Sequence, residues 1–265
     1  MSSFATHFTH AISRKPAQSI TEGLRAEDVG NPDYDLFVQH HDAYVMALEN
    51  AGARVTVLEA LEEFPDCVFV EDTALCLPEG AIVMRPGAPS RLGEAAAMAP
   101  NLKTFFDDIR VIEQGHIEGG DILVTAKEIL VGKSARSDNA GIEALRQVVS
   151  DWGYQVRALQ TPPEVLHFKT DCGLLDDTTI LSTHRLAASG CFEGYKIIET
   201  AAGEEAAANA IRFNDVVIMP KGFDETANRV RQAGFDVVEI PNTEAAKVDG
   251  GMSCLSLRLN PSKSA

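Results

Sequence analysis

Apolar and polar positions along this chain fall into one recurring order. Two short alternating or apolar runs come first, then an amphipathic stretch, then a further apolar run. A period of two predicts strands and a period near 3.6 predicts helices. One unit runs from DCVFVEDTALCL and GAIVMR, through a helix-like stretch from Leu92 to Phe106, to IRVIE. The next takes GGDILVTAKEILVGKS, AGIEALRQVVSDWG and YQVRALQ. A third spans CGLLDDTTILSTHR to YKIIE, and a fourth NAIRFNDVVIMPKG, DETANRVRQAG and FDVVEIP. The last run, GGMSCLSLRL, has no helix after it. HFTHAISR, near the start, leads into the amphipathic YDLFVQHHDAYVMALENAG and the strand-like ARVTVLEA. Joining the two ends completes a fifth unit.

Most helices end near a glycine, as helix-to-strand junctions require. Units recurring at roughly 40–50 residues predict radial or stacked architecture. A plain α/β sheet would alternate strand and helix and would not pair two strands before each helix. The expected fold is therefore α/β: a five-bladed ββαβ propeller with pseudo-fivefold symmetry, one domain over residues 1–265. Its last blade would be closed by the N- and C-terminal strands. In such a ring the segments leading into each blade face the central channel.

The 265 residues suit a single core that needs no covalent staples. Lys and Arg total 23 against 39 Asp and Glu, for a formal charge of −16. That balance excludes a nucleic-acid binder, because phosphates demand a basic footprint. It suits a cationic small substrate, and equally plain solubility. No apolar run approaches membrane-spanning length and no signal-peptide core is visible, so no membrane partner is expected. Five cysteines, an odd number without an export signal, predict reduced thiols in the cytoplasm.

Several residues carry candidate chemistry. Cys254 follows the pair Gly250–Gly251, where the backbone can bend and a ligand can approach. It reads as a nucleophile or as an ordinary buried thiol. His167 lies far away, in VLHFKT, with Val165, His167 and Lys169 on one face by alternation; distance along the chain is the usual layout of a Cys/His pair. Glu118 precedes Gly119–Gly120–Asp121, either as a tightly placed acid or in a solvated turn. His116 beside it lacks the spacing of a zinc site. Asp66, Glu71 and Asp72 flank the apolar Val68–Val70, where acids are costly unless they meet a cation. Arg91 and Arg136, each by itself an ordinary arginine, lie in separate loops. Opposite those acids they could hold a zwitterion with a cationic far end.

In order, SRKPAQSITEGL, FPDCVFVED, RPGAPSR, EGGD, GKSAR, VLHFKT and KVDGGMSCLSL resemble the dimethylarginine dimethylaminohydrolases, a family of the guanidine-modifying (pentein) superfamily of five-bladed propellers. The likeness runs almost end to end. It implies hydrolysis of asymmetric dimethylarginine and monomethylarginine to citrulline and an amine, through a thiouronium on Cys254. His167 would be the general acid/base, and Glu118 the acid that positions His167 or the guanidinium. Glu71 and Asp72 would face the guanidinium. Asp66 would hold the α-amino group with the carbonyls of Leu24 and Val248, and Arg91 and Arg136 the α-carboxylate. Asp249 would also touch substrate, Phe69 would form a wall, and the segment around Leu24, between Gly23 and Gly30, would be a lid. No metal or cofactor is implied, and a homodimer is left open. The alternatives are an arginine deiminase, a decarboxylated-guanidine hydrolase, and an inactive arginine-derivative binder. Departures from the family pattern fall at Ser137–Asp138, where the added acid threatens Arg136, and at Phe168 and Ala210.

Overall fold

A computed structural model describes residues 4–162 and 165–263. Its strands form five three-stranded sheets, each built from an antiparallel pair followed by a helix and a parallel third strand. The first blade contains β3 (Ala74–Leu77), β4 (Gly80–Val83), α2 (Leu92–Leu102) and β5 (Ile109–Val111). The second contains β6 (Ile122–Val124), β7 (Ile129–Lys133), α3 (Asn139–Val148) and β8 (Val156–Gln160). The third contains β9 (Cys172–Leu174), β10 (Thr179–Ser182), the single turn α4 (His184–Ala187) and β11 (Lys196–Glu199). The fourth contains β12 (Ile211–Phe213), β13 (Val216–Pro220), α5 (Asp224–Gln232) and β14 (Asp236–Ile240). A short helix, α6 (Thr243–Ala246), follows it.

The fifth blade joins the ends of the chain. β15 (Leu257–Leu259) pairs antiparallel with β1 (His10–Arg14), placing His10 opposite Leu259. α1 (Tyr34–Asn50) then leads to β2 (Arg54–Leu58), parallel to β1 from His10–Arg54 onward. Five ββαβ blades are thus present as the periodicity predicts. The helix expected from Leu92 to Phe106 ends at Leu102 instead. Pro100 lies in its last turn and donates no hydrogen bond, and Thr104 N–H turns back to the Asn101 carbonyl.

The radial arrangement is visible in the central cavity, of about 110 Å³, which takes residues from all five first strands: Leu75, Leu123, Leu174, Ile211 and Leu257 among them. A 3₁₀ turn leads into four of these strands: Val70–Thr73, Gly119–Asp121, Phe168–Thr170 and Ser253–Leu255. A fifth, Glu205–Ala208, precedes β12. Four neighbouring pairs of these turns are in contact, which links all five in ring order. These turns and the loops beside them, rather than the strands, carry the polar side chains of the site. No helix among the described residues is long and apolar enough to cross a membrane.

Candidate active site

A smaller cleft of about 30 Å³ is lined by Leu24, Asp66, Phe69, Asp72, Arg91, Arg136, Leu166, His167, Val248, Asp249, Gly250 and Cys254. Ten of these are residues singled out above, drawn together from four blades and the segment before α1. The central cavity is larger, yet it contains neither Cys254 nor His167. The chemistry therefore points to the small cleft.

His167 is the hub. Its Nε2 lies 2.6 Å from Glu118 Oε2, and Glu118 is fully buried. The other Glu118 oxygen accepts from Gly87 N–H at 2.8 Å. Burial alone raises the Glu118 carboxyl, but the His167 bond and charge, with Arg91 and Arg136, outweigh it and hold the group down at about 2. Burial likewise lowers His167, while Asp72, Glu118 and Asp121 overcome it and raise the imidazole to about 9. The ring is an imidazolium at neutral pH.

Asp72, Glu118 and His167 bring ligand atoms within 4.8 Å of one another. Protein donors already occupy the two carboxylates: Gly120 N–H and Arg91 serve Asp72, and Gly87 N–H and His167 serve Glu118. The donor set suits a clamped imidazolium better than a cation site. Gly120 is packed against the clamp, since an added Cβ would sit 2.7 Å from Asp72 Oδ1 and 2.9 Å from His167 Cγ. Gly120→Ala is expected to shift the imidazole and lower kcat by about 10²-fold while leaving the far-ultraviolet circular dichroism unchanged; unaltered steady-state rates would refute this.

Cys254 lies in the Ser253–Leu255 turn, half-buried. Burial and the charges of Glu71 and Asp72 push its thiol up to about 12, opposed by the Gly251 N–H at 3.4 Å. A thiol raised this far is neutral at pH 7.

Three expectations change. Glu71, expected beside the guanidinium, lines the central cavity; its Oε1 is held by Lys169 at 2.6 Å and Arg258 at 2.5 Å. His167 and Lys169 do not share a face, because the segment is a 3₁₀ turn and not a strand. His167 faces the cleft and Lys169 the central cavity. Asp138 does not divert Arg136. It caps α3 by accepting from Gly141 N–H at 2.8 Å, while Ser137 donates to Asp121.

The two arginines differ sharply. Arg91 is buried, donating to Glu94 through Nε, to Glu94 and the Phe69 carbonyl through Nη2, and to Asp72 Oδ2 at 2.6 Å through Nη1. One Nη1 hydrogen is left over. Glu94, missed in the sequence, is held so deeply that burial raises it to about 7 against the Arg91 charge. Its signal was the i,i+3 spacing at the head of α2. Arg136 is more accessible, and its one ion pair among the described residues is a loose 3.6 Å contact with Glu118.

The segment around Leu24, expected to be a lid, is tied by carboxylates of the cleft. Leu24 N–H donates to Asp66 Oδ1 at 3.0 Å, and Ala26 N–H to Asp249 Oδ2 at 2.6 Å. Asp249 holds a left-handed backbone, φ 58°. Arg25 staples the loop's neck to the Thr21 and Gly30 carbonyls. Phe69 is a wall, pressed against Gly250, where a Cβ would lie 2.3 Å from its ring.

Five ββαβ blades around a cleft that joins Cys, His and Glu define a guanidine-modifying propeller. The arginine deiminase family model matches residues 35–220. The dimethylarginine dimethylaminohydrolase of Pseudomonas aeruginosa is 36% identical over 253 residues, covering 95% of this chain and 99% of that one. A solved structure of the Pseudomonas protein, a cysteine-to-serine variant complexed with citrulline, matches with a TM-score of 0.92 at 35% identity, over 95% of this chain and 99% of that chain. The N-terminal domain of a cyanobacterial arginine dihydrolase, at 20% identity and a TM-score of 0.80, covers 95% of this chain and 97% of its own and shares the fold. The chain belongs to the dimethylarginine dimethylaminohydrolase family.

Proposed function

We propose that this protein hydrolyses Nω-methylated arginines to citrulline and methylamine or dimethylamine through a covalent adduct on Cys254. The observation that carries this reading is an imidazolium bonded to Glu118 and in the field of Asp72, in the same cleft as a thiol whose field is mainly anionic. The Pseudomonas relative, named for this reaction and solved with citrulline, supports it.

A guanidinium entering the cleft places a permanent positive charge beside Asp72 and Asp249. That charge offsets the field that keeps Cys254 protonated, so the thiol releases its proton as substrate binds. The thiolate attacks the guanidinium carbon. His167 gives its proton to the substituted nitrogen, the C–N bond breaks and the amine departs, leaving a cationic thiouronium. His167, now neutral, takes a proton from water, and the hydroxide adds to the same carbon. The C–S bond breaks, the sulfur leaves as thiolate, and the second proton lost from the adduct goes to solvent, where the amine is protonated. Asp66 would hold the α-amino group with the Leu24 and Val248 carbonyls. All five cysteines are free, as a reducing cytoplasm would keep them, and we place the enzyme there.

Release of citrulline and amine from arginine, monomethylarginine and asymmetric dimethylarginine, measured side by side, tests the reading. Turnover of the methylated substrates with amine release supports it. Ammonia from arginine as the dominant product would make the chain a deiminase instead.

The α-carboxylate rests chiefly on Arg136, because Arg91 has spent four of its five N–H groups. Arg136→Lys should cut kcat/KM for dimethylarginine about 10- to 100-fold, the loss of a charge-assisted bidentate contact. The same change should barely affect a methylated agmatine. Arg91→Lys should weaken both substrates, because it frees Asp72 as well. Equal losses on both substrates in Arg136→Lys would refute the assignment.

A further inference from the structure

Four of the five lead-in turns supply the site: Asp72, Glu118 as the residue before its turn, His167 likewise, and Cys254. The fifth turn, Glu205–Ala208, has no such residue within it. The residue that ends it is Asn209, buried against Cys254. Its orientation is fixed. Asn209 Oδ1 accepts from Ser253 N–H at 2.9 Å, so the amide NH₂ must face the other way. On that side Nδ2 lies 3.9 Å from Cys254 Sγ. Gly251 N–H approaches the same sulfur at 3.4 Å. Gly251 is what admits the amide: a Cβ there would lie 2.2 Å from Asn209 Cγ.

We propose that Asn209 is a further catalytic residue, whose side-chain amide donates to Cys254 Sγ and, with Gly251 N–H, stabilises the thiolate. This rests on Cys254 being the nucleophile. Among the sulfur's charged neighbours, Glu71 and Asp72 oppose ionisation and outweigh Lys169, which favours it, so N–H dipoles aimed at the sulfur add support that the net charge around it does not give. Two N–H groups aimed at an atom that gains charge follow the logic of an oxyanion hole. At 3.9 Å the amide contact is loose for a neutral thiol, and a sulfur that acquires charge draws both donors closer. The same two donors would receive the negative sulfur again when the C–S bond breaks at the end of the cycle.

The test needs no substrate. Alkylation of Cys254 by iodoacetamide is followed against pH in wild type, Asn209→Asp and Asn209→Ala, with peptide mapping to separate Cys254 from Cys67, Cys76, Cys172 and Cys191. Asn209→Asp keeps the acceptor for Ser253 N–H and removes the donor. Asn209→Ala removes the amide without adding charge. Both are expected to slow alkylation by at least about tenfold at fixed pH, the factor set by one hydrogen bond to a charged group, and to move its midpoint upward. Folded variants with the wild-type profile would overturn the proposal, even if their turnover fell, because Asn209 would then only brace the turn. Wild-type enzyme that still turns over methylarginine after Cys254 has been fully alkylated would overturn the nucleophile itself.

Discussion

Cys254→Ser is expected to abolish turnover, with a fall on the order of 10⁴-fold or more, while thermal unfolding stays near wild type. The substitution changes one atom in a half-buried position, so the fold loses little. The chemistry loses its nucleophile, because an alcohol facing Glu71 and Asp72 has no route to its alkoxide at neutral pH. Acid-quenched wild-type enzyme should carry a thiouronium mass on the peptide that holds Cys254, and the variant should not. The other four cysteines should be dispensable. A Cys254→Ser enzyme with ordinary rates would refute the covalent route.

His167→Gln carries the second large effect, about 10²-fold or more in rate, because both half-reactions use the imidazole in opposite protonation states. Loss of the neutral base should stall the second half, so adduct should accumulate in the variant and drain slowly. In wild type, kcat/KM should rise with pH as the thiolate becomes accessible. It should fall again near pH 9, where His167 loses its proton. That descending limb should vanish in His167→Gln, and its survival would rule out this residue as the proton donor. Stability carries the same signature. The folded value of His167 lies above its ordinary 6.5, so its contribution is complete below 6.5 and is lost as pH rises through about 9. Glu118 is depressed from 4.5 to about 2, so its contribution is present above 4.5 and is lost as pH falls toward 2. His167→Gln should therefore destabilise the protein more at pH 7 than at pH 10, which calorimetry can read.

The blades were legible because each first strand is an apolar run and the helices of four blades carry a 3.6-residue stripe; the third blade's helix is a single turn too short to show one. Cys254, His167 and Glu118 could be found because each precedes or follows a break in that pattern. Glu71 was misplaced for a geometric reason. A 3₁₀ turn has three residues per revolution, so neighbouring side chains diverge by about 120°, and Glu71 and Asp72 cannot both face one cleft. The alternation used for His167 and Lys169 failed in the same way. Asn209 sits in AAANA, where nothing in the letters hints at chemistry; only the folded chain shows that it closes the fifth lead-in turn and lies against Cys254. The arginines looked alike in sequence because their difference lies in partners: Glu94 and Asp72 saturate one, and a single loose contact holds the other.

The pairing of β1 with β15 has a consequence for how the molecule is assembled. In four blades the first two strands are joined by a short turn and can meet as soon as both exist. In the fifth, His10 must find Leu259 across nearly the whole chain. As a flexible loop, that closure costs about 4 kcal/mol more than a short hairpin turn. It can also take place only after the nucleophile's own turn, just upstream of β15, has been synthesised. The catalytic cysteine is thus delivered by the segment that seals the ring, so an unsealed, aggregation-prone chain is one whose active site has not yet been built.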